Sequence, residues 1–299
     1  MAAAARPMER EGRLLTIVRL LIMLVLAVIF LFPLVYMLVS SLKPDEQLLG
    51  DTSSFRAFLP VGDISLSNWA GVFERVPALR FLANSLIITA TTVVLGIVVN
   101  SMAGFALSRM RWSGQRWVLT IIIATLIVPF ETIAIPLLLL VSKLPWIGLE
   151  GVSPTLTTGW LNTLHVQIIP FIGNAFSIFL FVQYFKSLPV EIDEAARVDG
   201  ASWFQIYRQI ILPLSGPVIA TVAILTFLPV WNAYLWPLMV TQSEDVRPVM
   251  VGVQYFFQLD VAWGEVMAYL SMITLPVLAL FLALQRSFVE SIAASGVKG

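Results

Sequence analysis

Two parts of the sequence hold residues whose types and spacing could do chemistry. The first is a polar run within 188–213. It reads Leu188-Pro189-Val190-Glu191-Ile192-Asp193-Glu194-Ala195-Ala196-Arg197-Val198-Asp199-Gly200-Ala201-Ser202-Trp203-Phe204-Gln205 and continues to Leu212-Pro213. The second is a scatter of lone polar side chains inside long apolar stretches: Asn84, Asn100, Glu131, Gln183 and Asn232, with Trp231 and Tyr234 beside the last. Polar groups at membrane depth are costly, and they face either a partner helix or a water-filled path. Glu131 stands between Pro129 and Pro136, where a helix is prone to break. Its functional reading is a carboxyl group that lines a water-filled path. Its structural reading is a carboxyl paired with a neighbouring helix or kept protonated. Trp231, Tyr234 and Trp236 offer flat aromatic faces, and an interfacial aromatic belt explains Trp236 equally well.

Other chemistries are excluded by what the chain lacks. There is no cysteine, which removes disulfides and thiolate metal sites. The single histidine, His165, cannot build a metal cluster or a conventional triad, and is expected to be structural or interfacial. An intramembrane enzyme would need paired acids, a Ser/Lys pair or a His cluster, and the apolar stretches hold only the isolated Glu131. With 18 basic against 18 acidic residues the net charge is zero, so nucleic acid is not an expected partner. The chain also has no Gly-x-x-x-x-Gly-Lys-Ser/Thr loop to cradle nucleotide phosphates.

The elements that must position these residues follow from composition. Of the 299 residues 59% are hydrophobic and 12% charged, against roughly a quarter charged in a soluble domain. That balance predicts an all-α polytopic membrane protein. A membrane helix needs about 20 apolar residues, and six stretches qualify: 20–42, 81–107, 117–141, 168–185, 214–240 and 266–284. Twelve of the 18 basic residues fall before the first stretch, between the second and third, between the fourth and fifth, and after the sixth. By the positive-inside rule both termini and the loop 187–213 are then cytoplasmic. The expected organisation is a cytoplasmic segment 1–19, a membrane domain 20–285 and a cytoplasmic tail 286–299. The first stretch is read as an uncleaved anchor. The outer connections are 43–80, with a short helix around Trp69 capped by Ser67 or Asn68, then 142–167, then 241–265 with Tyr255-Phe256-Phe257. The two halves do not match as inverted repeats would.

The loop 187–213 has legible local physics. Pro189 presets its entry, and Glu191, Asp193 and Glu194 suit the positive end of a helix dipole. Gly200 can take the left-handed conformation that ends a helix. Ser202 with Gln205 three residues on is a capping-box pattern, and Pro213 closes the second helix. The prediction is a helix–turn–helix with Ala195, Ala196, Val198 and Ala201 on one small, apolar face. Such a face suggests a docking site, the alternative being a loop lying on the membrane surface.

The run Glu194-Ala195-Ala196, Asp199-Gly200-Ala201, Ile210 and Leu212-Pro213 resembles the EAA loop of permease subunits in binding-protein-dependent ABC importers. Further features resemble the maltose-type carbohydrate permeases, second-permease branch: Ser41-Leu42-Lys43-Pro44, Asn84-Ser85, the run Trp231-Asn232-Ala233-Tyr234-Leu235-Trp236-Pro237, and the closing Ser295-Gly296-Val297-Lys298-Gly299. The likeness runs from about residue 20 to the end. The outer loop around 149–164 is longer than the family pattern, and Glu131 stands where a neutral polar residue is more usual. The resemblance implies an ABC importer type I permease fold and a non-enzymatic transport subunit. It also implies a second permease subunit, two copies of an ATP-binding subunit that carry ATP and Mg, and an extracytoplasmic solute-binding protein. A sugar is the implied cargo, moved across the cytoplasmic membrane of a bacterium or archaeon. Glu194, Ala195, Ala196, Asp199 and Gly200 would form the ATPase-coupling contact, with no cofactor on this chain. By the same resemblance the tail, through Ser295, Gly296 and Gly299, reaches toward the ATPase interface, and the loop 241–265 toward the binding protein. A self-contained secondary transporter, or the same importer carrying a polyol or sugar phosphate, are the alternatives.

Overall fold

The computed structural model describes residues 13–150, 153–258 and 261–296, and expectations about 1–12 and 297–299 lie outside them. Four helices are long and apolar enough to cross a membrane: Leu15–Ser40, Ala78–Ser108, Pro213–Trp231 and Trp263–Ala283. Two bent pairs bring the count to six if each pair is one span. Gln115–Ile127 with Phe130–Val141 bends by 105°, and His165–Ile172 with Ala175–Ser187 by 40°.

The breaks have local causes. Proline disfavours helical backbone in the residue before it, and Val128, ahead of Pro129, is extended at ψ 115°. Gly173 is likewise extended, with ψ 115°, between the halves of the fourth stretch. The fifth stretch does not run through to residue 240 as expected. Its helix ends at Trp231, and a separate short helix, Leu235–Val240, follows. The fold is mostly helical, as expected, with a local exception. Within the connection 142–167 lie two antiparallel strands, β1 (Pro145–Glu150) and β2 (Ser153–Thr158), with Trp146 opposite Thr157 and Ile147 opposite Leu156. Threonines and aromatics suit strands, but prolines and glycines among them mask so short a signal.

The chain divides into two compact units. One holds the described residues of Met1–Arg75 and Phe256–Met272. It contains α1 (Arg13–Ser40), α2 (Asp45–Asp51), α3 (Ser67–Arg75) and the start of the last helix, Trp263–Gly296. Its polar centre is the Ser41-Leu42-Lys43-Pro44 turn. Lys43 is 1% exposed and donates to Asp51 Oδ2 at 2.9 Å and to the Arg56 carbonyl at 2.5 Å. The Asn68 amide donates to the Ser41 and Lys43 carbonyls, and Trp69 Nε1 to Ser41 Oγ. Asn68 and Trp69 therefore tie α3 to this turn, and Asn68, inside the helix, is not its cap. Phe256 of the aromatic triplet is fully buried, packs on Tyr269 with ring centroids 4.8 Å apart, and leaves Phe257 exposed.

The other unit comprises Val76–Tyr255 and Ile273–Gly299. Its longest helix is α4 (Ala78–Ser108), followed along the chain by α5 (Gln115–Ala124), α6 (Phe130–Val141), α7 (His165–Ile172), α8 (Ala175–Ser187), α9 (Glu191–Val198) and α10 (Trp203–Ile206). After these come α11 (Gly216–Trp231), α12 (Leu235–Val240) and α13 (Val249–Gly252). Close approach of α8 to α4 requires a glycine: a Cβ at position 104 would lie 2.6 Å from Phe181 Cβ.

Candidate functional site: the α9–α10 loop and a cavity at the helix breaks

The loop after α8 folds as its sequence dictates. Glu191, Asp193 and Glu194 occupy the first turn of α9. Gly200 takes φ +85°, a left-handed conformation. The Ala201 N–H then donates to the Ala196 carbonyl at 2.9 Å and the Gly200 N–H to the Arg197 carbonyl at 3.1 Å. This pair of bonds is a Schellman closure, which satisfies carbonyls that a helix end leaves free. The Ser202–Gln205 capping box is present in both directions and starts α10. A π-helical stretch, Tyr207–Ile211, then leads to Pro213.

One side of this helix–turn–helix is anchored. Ala196, Ile206, Tyr207 and Ile211 are buried among Phe105, Phe181, Phe185, Val218 and Val222, from α4, α8 and α11. The Tyr207 and Ser101 hydroxyls are 2.8 Å apart. The expected single face of Ala195, Ala196, Val198 and Ala201 therefore divides. Residues three apart share a helix face. Asp193 and Ala196 turn inward, whereas Ala195 and Val198 turn outward with Glu194, Asp199 and Gly200. Val198 is 88% exposed and Phe204 57%. Of the five expected coupling residues, Ala196 alone lies on the anchored side.

An arginine that the sequence reading left among its charge counts fixes the loop. Arg109, just past the end of α4, is buried and donates to Asp193 Oδ2 at 3.0 Å. Its other nitrogen donates to the Phe185 carbonyl at 2.5 Å and the Leu188 carbonyl at 2.8 Å, around the C-terminal end of α8. One guanidinium thus joins α4, α8 and α9. Burial pushes the Asp193 carboxyl above its ordinary value, against the opposing pull of Arg109. The pair is held at a desolvation cost, and its contribution is placement rather than net stability. Nothing in the sequence marked this partnership, because the two residues are 84 positions apart.

The pathway candidates separate in the same way. Asn84 donates to the Asp245 and Arg247 carbonyls and so holds the connection 241–265. Asn100 bridges the α7–α8 break: its amide donates to the Ile172 carbonyl and its oxygen accepts from Asn174 N–H, both at 2.9 Å. Gln183 is exposed on α8, and Asn232 is exposed and bonds back to the Leu228 carbonyl. Trp231 is buried and stacked on Phe227. His165 stacks on Trp146 at 3.9 Å with Trp160 at its edge, a packing role.

Glu131 and Tyr234 meet at a cavity of about 510 Å³. Three chain breaks converge on it: the start of α6 at Phe130 and Glu131, the α7–α8 break at Asn174, and the α11–α12 break at Ala233 and Tyr234. Irregular backbone at membrane depth is tolerated where it lines a cavity. Thr89 and Gln167, not among the expected pathway residues, also line it. Their one available signal was a polar type inside an apolar run, shared by many packed residues. Among the described residues no cluster of three or more His, Asp or Glu side chains stands ready to hold a metal.

Comparison with known proteins agrees with this architecture. The chain is 31% identical over 284 residues to the lactose transport system permease protein LacG of Rhizobium radiobacter, covering 95% of this chain and 97% of the relative. It is 30% identical over 279 residues to the arabinooligosaccharides transport system permease protein AraQ of Halalkalibacterium halodurans, covering 92% and 93%. The fold matches a chain of a bacterial ABC transporter that imports the acidic polysaccharide alginate, with a TM-score of 0.76 at 24% identity over 95% of this chain and all of that one. Residues 93–293, which include the α9–α10 loop and most of the cavity, match the model of the binding-protein-dependent transport system inner membrane component. This chain therefore belongs to that family, as a multi-pass membrane subunit of a transport system rather than an enzyme.

Proposed function

We propose that the chain is one of two permease subunits of an ATP-driven, binding-protein-dependent importer for a sugar or oligosaccharide. It sits in the cytoplasmic membrane of a bacterium or archaeon, with six spans and both termini in the cytoplasm. Helix α9 and the Gly200 turn dock on a separate ATP-hydrolysing subunit. ATP and Mg²⁺ are held there, two copies of that subunit serve the permease pair, and an extracytoplasmic binding protein delivers the solute.

The observation that carries this reading is the two-sidedness of the α9–α10 loop. One side is packed and ion-paired into α4, α8 and α11, and the other presents Glu194, Ala195, Val198 and Asp199 to a partner. A short helix held this firmly transmits a rigid-body motion, whereas a flexible loop would absorb it. Sugar as the cargo is supported by the names of the relatives, which transport lactose and arabinooligosaccharides.

The test is affinity purification of the chain from native membranes in mild detergent, with mass spectrometry of its companions. The expected companions are a second permease and a subunit carrying a Gly-x-x-x-x-Gly-Lys-Ser/Thr loop. Recovery of the chain alone, with uptake that needs no ATP, would replace the importer reading with a self-contained transporter.

A further inference from the structure

The cavity at the helix breaks contains a polar feature that the coupling account does not use. Among the described residues, Thr89 Oγ1 and Gln167 Oε1 are buried and have no hydrogen-bond partner, and both residues line the cavity. Thr89 is 1% exposed and Gln167 3%. Three other hydroxyl residues of its helix are satisfied locally. Thr92, Ser101 and Ser108 each donate back to a carbonyl three or four residues earlier in α4. Gln167 spends its nitrogen on the Val246 and Thr163 carbonyls, at 2.9 and 3.3 Å, which fixes its amide and leaves its oxygen as a free acceptor. A buried polar group without a partner carries an uncompensated desolvation cost, so two around one cavity call for an occupant.

The lining defines the chemistry of that occupant. Gln167 Oε1 requires a donor, and Thr89 Oγ1 takes either a donor or an acceptor. A sugar hydroxyl is both. The carboxylate of Glu131 adds further acceptors, and Phe130, Phe171 and Trp236 supply apolar faces. No lysine or arginine lines the cavity, and its one charged residue is acidic. That composition opposes a phosphate or a uronate. The volume of about 510 Å³ lies within the roughly 300–1,000 Å³ of small-ligand sites.

We propose that this chain itself carries a solute subsite, in which Thr89, Gln167 and Glu131 hydrogen-bond one ring of a neutral sugar during passage. This rests on the importer reading above.

The experiment uses the complete importer in liposomes with saturating binding protein, supplied with maltose, lactose or an alginate-derived uronate trisaccharide, and counts sugar imported per ATP hydrolysed. Thr89→Val removes a hydroxyl that makes no bond within the protein. It should leave the melting temperature unchanged or raised, while neutral sugar imported per ATP falls about fivefold. Thr92→Val, which breaks a bond within α4 and lies outside the cavity lining, should leave that ratio unchanged. An unaltered ratio in Thr89→Val overturns the subsite and leaves the importer reading standing. ATP-driven uptake of the uronate alone overturns the neutral-sugar assignment. Absence of ATP-driven uptake, by the unmodified complex, of every sugar that its binding protein retains overturns the sugar-importer reading, and the subsite with it.

Discussion

Gly200 holds the turn between α9 and α10 at φ +85°, and no atom lies within 4 Å of where its Cβ would stand. A substitution there meets no other part of this chain, so its effect within the chain is backbone strain. That strain is about 1–2 kcal/mol for an ordinary residue, and β-branched residues resist the region most. Gly200→Val should insert and assemble normally yet lose most uptake per ATP hydrolysed. Gly200→Asn, which tolerates the left-handed region, should restore most of it. Equal uptake ratios for Val and Gly would remove the turn from the coupling account. At the Lys43–Asp51 pair the expectation concerns pH. The bond donated by Lys43 holds the Asp51 carboxyl below the usual carboxylate range. Its contribution is therefore complete above the ordinary aspartate pKa and drains as pH falls through the depressed one. The melting-temperature gap between the parent and Asp51→Asn should hold steady at neutral pH and close only in strong acid. A gap that closes near pH 6 would contradict it. At this scale the sequence was most legible where chemistry is local. Gly200, Ser202 and Gln205 behave as their types and spacing predict, because their partners lie within five residues. The Arg109–Asp193 pair and the orphaned oxygens of Thr89 and Gln167 depend on tertiary neighbours that no local pattern announces.

At the scale of elements, apolar length predicted where helices run but not where they break. Pro129, flagged beside Glu131, does end a helix, and the result is a 105° bend. Gly173 and the Asn232-Ala233 break gave weaker signals, since a glycine or asparagine inside an apolar run is often tolerated. The polar residues of the apolar stretches then served these breaks: Asn100 supplies to Ile172 and Asn174 the bonds that an unbroken helix would have made. The short β1–β2 pair was missed for a related reason, its turn-forming residues outweighing its strand formers. Arg109 acts at this scale as well, because one side chain fastens the ends of three helices. Arg109→Lys keeps a charge for Asp193 but lacks the planar fork that also reaches the Phe185 and Leu188 carbonyls. It should destabilise by about 1–3 kcal/mol. Hydrogen exchange should quicken at the amides of 186–198, with the α4 core amides unchanged. An increase spread evenly over α4 and α9, or none at all, would show that the guanidinium does not hold the loop.

For the whole molecule, composition alone carried the class: a chain this apolar and this poor in charge belongs in a bilayer, and the family match agrees. The central claim is that the outward side of α9 meets an ATP-hydrolysing subunit. Because the sequence contains no cysteine, a single Ala195→Cys substitution places one thiol on that side. In native membranes, a short bifunctional thiol–amine crosslinker at this position should capture a protein with a Gly-x-x-x-x-Gly-Lys-Ser/Thr loop, identified by mass spectrometry of the crosslinked peptide. A thiol at the buried Ala196 should capture none. Crosslinks from Ala195→Cys that never reach such a protein, in membranes where the chain still supports uptake, would contradict the account.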